Sequence, residues 1–153
     1  MDDTDLAIIR ELTDGRVPFK EVGRRLGLAE ATVRNRVRRL REAGVLDISG
    51  RVDPDSLPDH SVVMIGVRVR DMNLVRKAEE FSNLRGVVSV CVVTGRFDLM
   101  VMVVLQKDFG ILEFYTQEVS KLDNIQSVET FVIYKSFNLS VSLPADGKKG
   151  ENE

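Results

Sequence analysis

The stretch DPDSLPDH (Asp53 to His60) constrains the fold most, because the hydrophobic pattern changes period across it. Before it, apolar residues recur at helical spacing. After it, β-branched runs alternate with two helical stretches. A change of period at a polar, proline-bearing segment marks two domains joined by a linker. A chain of 153 residues has room for both. The expected organisation is residues 1–48, a strand and linker over 49–60, a second domain over 61–143, and a disordered tail, PADGKKGENE, over 144–153.

Three helices are legible in the first part. One runs from about Asp3 to Leu12, with acids at its start where they cap amides, and with an apolar stripe of Leu6, Ile8, Ile9 and Leu12. A second begins near Pro18, carries Val22 and Leu26, and stops at Gly27. A third starts near Glu30, buries Val33, Val37 and Leu40, and ends at Gly44. Ala29 stands where a side-chain cap is expected. Val45 to Val52 reads as a strand with a turn at Ser49-Gly50, a short wing that brings Arg51 near a phosphate.

The second part reads strand (VVMIGVRVR), helix (NLVRKAEEFSNL, with Leu74, Ala78 and Phe81 on one face), then strands VVSVCVVT and FDLMVMVVL. A helix (FGILEFYTQEVSKL, with Leu112, Tyr115, Val119 and Leu122 on one face) and a strand (VETFVIYK) complete it. This βαββαβ order is that of a ferredoxin-like domain. The fold class is therefore α+β: an N-terminal winged helix-turn-helix joined to a C-terminal ferredoxin-like domain. Phe97, Leu99, Val101 and Val103 are expected on one side of their strand, and Met100, Met102 and Val104 on the other. The same holds for Val88, Val90 and Val92 against Val87, Cys91 and Val93. Two helices cover one face; a second copy of the chain is the simplest cover for the other.

Charge narrows the function. The chain has 22 basic and 24 acidic residues, a formal net charge of −2, yet five arginines lie between Arg34 and Arg41. A local basic patch on a mildly acidic protein points to a local anionic partner. At about 100° per residue, Val33, Val37 and Leu40 share one narrow arc. Ala31, Thr32, Asn35, Arg38 and Arg39 occupy the opposite side, flanked by Arg34 and Arg36. At i, i+4 spacing only Glu30–Arg34 and Arg38–Glu42 pair an acid with these arginines. Arginine without lysine suits bidentate contact with phosphate or guanine. FKEVGRRLGLAEATVRNRV is a helix, a glycine-containing turn and a helix. This is a helix-turn-helix that presents the arginine helix to double-stranded DNA, with Gly23 allowing close approach and Gly27 the turn's positive φ. Ala31 suits a thymine methyl, Asn35 adenine and Arg38 guanine.

With these features in place, the chain resembles the Lrp/AsnC family of transcriptional regulators. The resemblance lies in DDTDLAIIRELTDGRVPFKEVGRRLGLAEATVRNRVRRLREAGVL, VVTGRFDLMVMV and SVETFVIY. It implies a homodimer through the ferredoxin-like domains, assembly to tetramers or octamers, and an amino-acid effector between dimers. The effector residues so implied are Thr94, Gly95, Arg96, Phe97 and Asp98, with Glu129 and Thr130 from the last strand. Gly95-Arg96 fits a two-residue type II′ turn whose amides could hold a carboxylate. Asp98 either receives the ammonium group or caps its own hairpin; both readings stay open. The chain departs from the family pattern in two places: Ile48-Ser49 replace a common Gly-Tyr, and Ala29-Glu30 replace the Ser that opens the recognition helix.

No cofactor or metal is expected. A haem-pathway decarboxylase of similar plan would need histidines, and the chain has one, His60. Cys91, the lone cysteine, excludes an intramolecular disulfide and is expected in the core. MDDTDL lacks the order of a signal peptide, and no apolar run approaches the roughly 20 residues of a membrane span. A cytoplasmic protein is expected, with no membrane partner. A DNA-architectural protein of little sequence specificity is the other reading of the basic helix.

Overall fold

The computed structural model describes residues 1–70 and 72–143, so the expected tail, 144–153, lies outside the described residues. The chain divides into two compact units, Met1–Ser49 and from Gly50 onward.

The first unit holds helices α1 (Asp3–Glu11), α2 (Phe19–Leu26) and α3 (Glu30–Glu42) around Ile8, Leu12, Val22, Val33 and Val37. Asp2 and Asp5 form a reciprocal capping box at the start of α1. The buried face of α1 is not the stripe read from its apolar residues. Leu6 is 38% exposed, and Asp5 lies fully buried beside Ile8. Gly27 ends α2 at φ +67°. A Cβ on Gly23 would lie 2.5 Å from the Leu28 carbonyl oxygen, so only glycine lets the turn fold back this closely. Ala29 supplies no side-chain cap to α3, as its apolar side chain dictates.

The expected wing does not form. Residues 45–51 make no strand; Leu46 and Ile48 pack on the helical core instead. The apolar alternation of this segment serves helix packing, with no partner strand to pair it. Val52 belongs to the second unit, where it makes a single antiparallel bridge to Val141. Arg51 donates to the Ser140 carbonyl there, at 2.5 Å.

The second unit begins with a 3₁₀ turn (Pro54–Ser56) and holds β1 (His60–Val69), α4 (Leu74–Ser82), β2 (Val87–Val92), β3 (Leu99–Gln106), the short α5 (Ile111–Glu113) and β4 (Ile125–Val132). The antiparallel sheet runs β2-β3-β1-β4, the order of the ferredoxin-like fold. One face buries Val63, Ile65, Val67, Leu99, Val101 and Val103 against Phe81, Phe109, Phe114 and Val119. After α5 the chain runs into a π-helical stretch (Phe114–Glu118) and a 3₁₀ turn (Val119–Lys121). The wider π turn adds a residue and rotates the buried face. Phe114 and Val119, five apart, point inward, while Leu112, expected inside, is 66% exposed.

Two expectations about the other sheet face change. A β-bulge between Val87 and Ser89 shifts the register of β2. Val87, Val90 and Val92 therefore stand opposite Val103, Val101 and Leu99, whereas Ser89 and Cys91 stand opposite Met102 and Met100. Cys91 is thus exposed on the second face, not in the core. Phe97 also leaves the side of Leu99: its ring covers Gly66, where a Cβ would lie 2.7 Å from it, and meets Phe131 edge-on. The second face has partial cover from the chain itself, since Val62, Val104 and Val141 are buried together with Val52, Val88, Met102, Ile133 and Leu139 packed around them.

Candidate functional site

The helical phase read from the sequence holds on α3. Val33, Val37 and Leu40 are buried, and Ala31, Thr32, Arg34, Asn35, Arg38 and Arg39 are exposed. The arginines differ in what they touch. Arg34 pairs with Glu30 one turn back and lies over the Phe19 ring, 5.7 Å from its centroid. The acid at the open end of the helix is thereby neutralised by its own neighbour. Arg38 is 70% exposed, with one long contact to Asn35 (3.3 Å) and one to Glu42 (3.9 Å).

Arg36 is only 26% exposed, and its Nη1 donates to Asp2 Oδ2 at 2.7 Å and to Asp5 Oδ1 at 2.8 Å. Arg39 donates through Nη2 to Asp5 Oδ2, also at 2.8 Å. Neither acid lies at i, i+4 on the arginine helix; both come from α1. The absence of an acid at i, i+4 from Arg36 and Arg39 holds, but it does not leave them unpaired, because α1 and its cap supply acids across the helix pair. The Arg36 guanidinium holds both Asp2 and Asp5 below the usual carboxylate range, because each charged-group hydrogen bond favours the ionised acid. The signal was present in the sequence: Asp5, Ile8 and Leu12 lie at i, i+3, i+7, one buried face. On α2, Arg24 and Arg25 lower Glu21 to about 2.

The expected effector residues do not all converge. The connection from β2 to β3 is not a two-residue turn. Val93 N–H donates to the Asp98 carbonyl, which leaves four residues, Thr94 to Phe97, in the loop, with Gly95 at φ +123°. Thr94, Gly95 and Arg96 are exposed. Arg96 pairs with Glu129 at 2.8 Å and lies over the Phe97 ring, 5.4 Å from its centroid. These residues share the second sheet face. Asp98 accepts the Val69 N–H at 2.9 Å, where the β1–β4 register shifts, so one of its oxygens anchors the sheet. Thr130 stands opposite Ile65 on the helix-covered face and bonds the Tyr115 hydroxyl at 2.7 Å. Strand alternation separates Glu129 from Thr130.

A helix-turn-helix with an exposed basic second helix, followed by this sheet order, can now be compared with known proteins. The sequence model of the AsnC-type helix-turn-helix domain matches residues 1–41, and that of the Lrp/AsnC ligand binding domain matches residues 62–143. The chain belongs to the Lrp/AsnC family. It is 27% identical over 146 residues to the HTH-type transcriptional regulator Ptr1 of Methanocaldococcus jannaschii, covering 94% of this chain and 99% of that one. It is 30% identical to the HTH-type transcriptional regulator FL11 of Pyrococcus furiosus, covering 94% and 96%. The crystal structure of the Neisseria meningitidis transcriptional regulator NMB0573 in complex with L-Met superposes with a TM-score of 0.68 at 21% identity, covering 95% of this chain and 97% of that one.

Members of the Lrp/AsnC family are transcriptional regulators and not enzymes, and the chain is a regulator with a DNA-binding and a ligand-binding domain. The decarboxylase reading falls with that assignment. The single histidine, His60, opens β1 and donates through Nδ1 to the Pro58 carbonyl at 2.7 Å. Among the described residues no helix is long and apolar enough to cross a membrane.

Proposed function

We propose that this regulator binds double-stranded DNA sequence-specifically through the exposed arc of α3, and that a small molecule bound to the C-terminal domain modulates it. The observation that carries the reading is the facing of α3. Ala31, Thr32, Asn35 and Arg38 stand outward from Val33, Val37 and Leu40. Ala31 and Thr32 let the backbone approach a groove, Asn35 and Arg38 suit base edges, and Arg34 and Arg41 suit phosphates. The protein works in the cytoplasm as a homodimer through the open part of the second sheet face, assembling to tetramers or octamers. Met64, Met100, Cys91 and Phe131 lie on that part of the face.

The effector reading rests on Arg96 and Glu129. An amino acid carries one carboxylate and one ammonium, the charges complementary to this pair. Thr94 and Gly95 border it with exposed backbone, and Phe97 supplies an apolar wall. Asp98 and Thr130 act through the fold, since each is engaged by another strand or helix.

Footprinting on the DNA upstream of the protein's own gene, repeated with each amino acid, tests both statements. Specific binding leaves discrete protected half-sites about 34–36 Å apart or at multiples of that. Unbroken coverage supports an architectural protein instead. An amino acid that changes the footprint of the wild type but not of Glu129→Gln supports the effector site; a response that survives the substitution removes Glu129 from it.

A further inference from the structure

The five arginines between Arg34 and Arg41 are not equivalent, and the difference is imposed from outside α3. The Asp5 side chain is completely inaccessible to solvent. Its Oδ1 accepts from Arg36, its Oδ2 from Arg39, and Oδ2 also accepts the Asp2 N–H at 3.1 Å. Asp2 in turn accepts the Asp5 N–H at 2.8 Å and two further bonds from Arg36 Nη1. The capping box of α1 and the middle of α3 thus form one hydrogen-bonded network.

Such a network resists rearrangement. Moving Arg36 to a phosphate would leave a buried carboxylate short of its partner, and an uncompensated buried charge costs more than a solvent-exposed ion pair gains. Arg36 carries bonds to both acids, with three-quarters of its side chain already covered. Arg39 is more open, but it supplies the second cation on Asp5.

We propose that Asp2 and Asp5 are specificity-determining residues that withdraw Arg36 and Arg39 from DNA, so that contact falls to Arg34, Arg38 and Arg41. This rests on the DNA-binding reading of α3. Phosphate contacts raise affinity for every sequence alike, whereas base contacts discriminate. Neutralising two arginines on the protein side lowers non-specific attraction while Asn35 and Arg38 still read bases. The ratio of specific to non-specific affinity rises as a result. The same bonds fix the rotation of α3 against α1, and with it which residues face outward.

The test measures the salt dependence of binding by fluorescence anisotropy, using the full chain and a mixed-sequence duplex of about three helical turns. Each phosphate contact contributes about 0.9 to the slope of log K against log salt. Arg39→Gln keeps the wild-type slope, whereas Arg34→Gln makes it shallower by about 0.9 per bound protomer. Asp5→Asn makes it steeper by up to the same amount for each arginine released, and tightens binding to the mixed sequence. Circular dichroism checks whether Asp5→Asn folds. Arg39→Gln decides the matter independently, because Arg36 still partners Asp5 in that variant. A shallower slope for Arg39→Gln, or an unchanged slope for folded Asp5→Asn, overturns the proposal and leaves α3 as the DNA-binding element. Wild-type protein without salt-dependent binding overturns the DNA reading of α3 itself, and this proposal with it.

Discussion

The α3 surface and the loop between β2 and β3 both carry the residue types of a binding site, and the structure organises them differently. On α3 the outward residues are those the helical wheel selects, because a helix fixes side-chain direction locally. Around the loop, Phe97, Arg96 and Glu129 share one sheet face while Thr130 lies on the other. A site on one helix depends on one phase. A site assembled from two strands and a loop depends on register, bulges and turn length together. Each of those changed from expectation in the second unit.

Five substitutions break or sharpen that contrast. The largest effect belongs to the π-helical stretch after α5. Phe114→Ala should cost about 3–5 kcal/mol by chemical denaturation, and Leu112→Ala within about 0.5 kcal/mol. Equal costs would restore the regular helix read from sequence. Next is Gly23→Ala, where the new Cβ meets the Leu28 carbonyl; about 1–3 kcal/mol is expected, with reduced DNA binding. A neutral result would mean that the turn of the helix-turn-helix does not need this close approach. Thr130→Val should cost about 1 kcal/mol through the lost Tyr115 bond and leave any amino-acid response intact. A lost response with unchanged stability would return Thr130 to the ligand site.

The smallest effect concerns Glu21. Arg24 and Arg25 hold its carboxyl at about 2, against an ordinary 4.5. A carboxylate depressed in the folded state stabilises above its unfolded pKa and loses that contribution as pH falls through the folded value. Wild-type protein should therefore melt slightly above Glu21→Gln at neutral pH, with the gap closing as pH falls from about 4.5 toward about 2. A gap that widens on acidification would contradict the assigned ion pairs.

What was legible follows the range of each interaction. The positions of α1 to α4, the βαββαβ order and the facing of α3 rest on local periodicity, and the structure keeps them, whereas the last helical stretch becomes a short α5 with π-helical and 3₁₀ turns. Alternation at Val45 to Val52 suggests a wing, but alternation does not reveal whether a partner strand exists. Leu46 and Ile48 found the helices instead. A bulge and a four-residue turn, neither marked by periodicity, put Cys91 and Phe97 on the face opposite the one that strict alternation predicts. The pairing of Asp5 with Arg36 and Arg39 spans more than 30 positions, beyond the reach of a rule built on neighbouring turns. An acid placed among buried apolar positions was its only local trace.

The central claim is that the outward arc of α3 reads DNA, with Arg38 at a base edge. Binding of Arg38→Ala to a footprinted half-site duplex and to its scrambled counterpart tests it most directly. The account predicts a loss of about 1–3 kcal/mol on the specific site and a smaller loss on the scrambled one, so that discrimination narrows. Equal losses on both duplexes would make Arg38 a phosphate contact, and no loss on either would remove it from the DNA face.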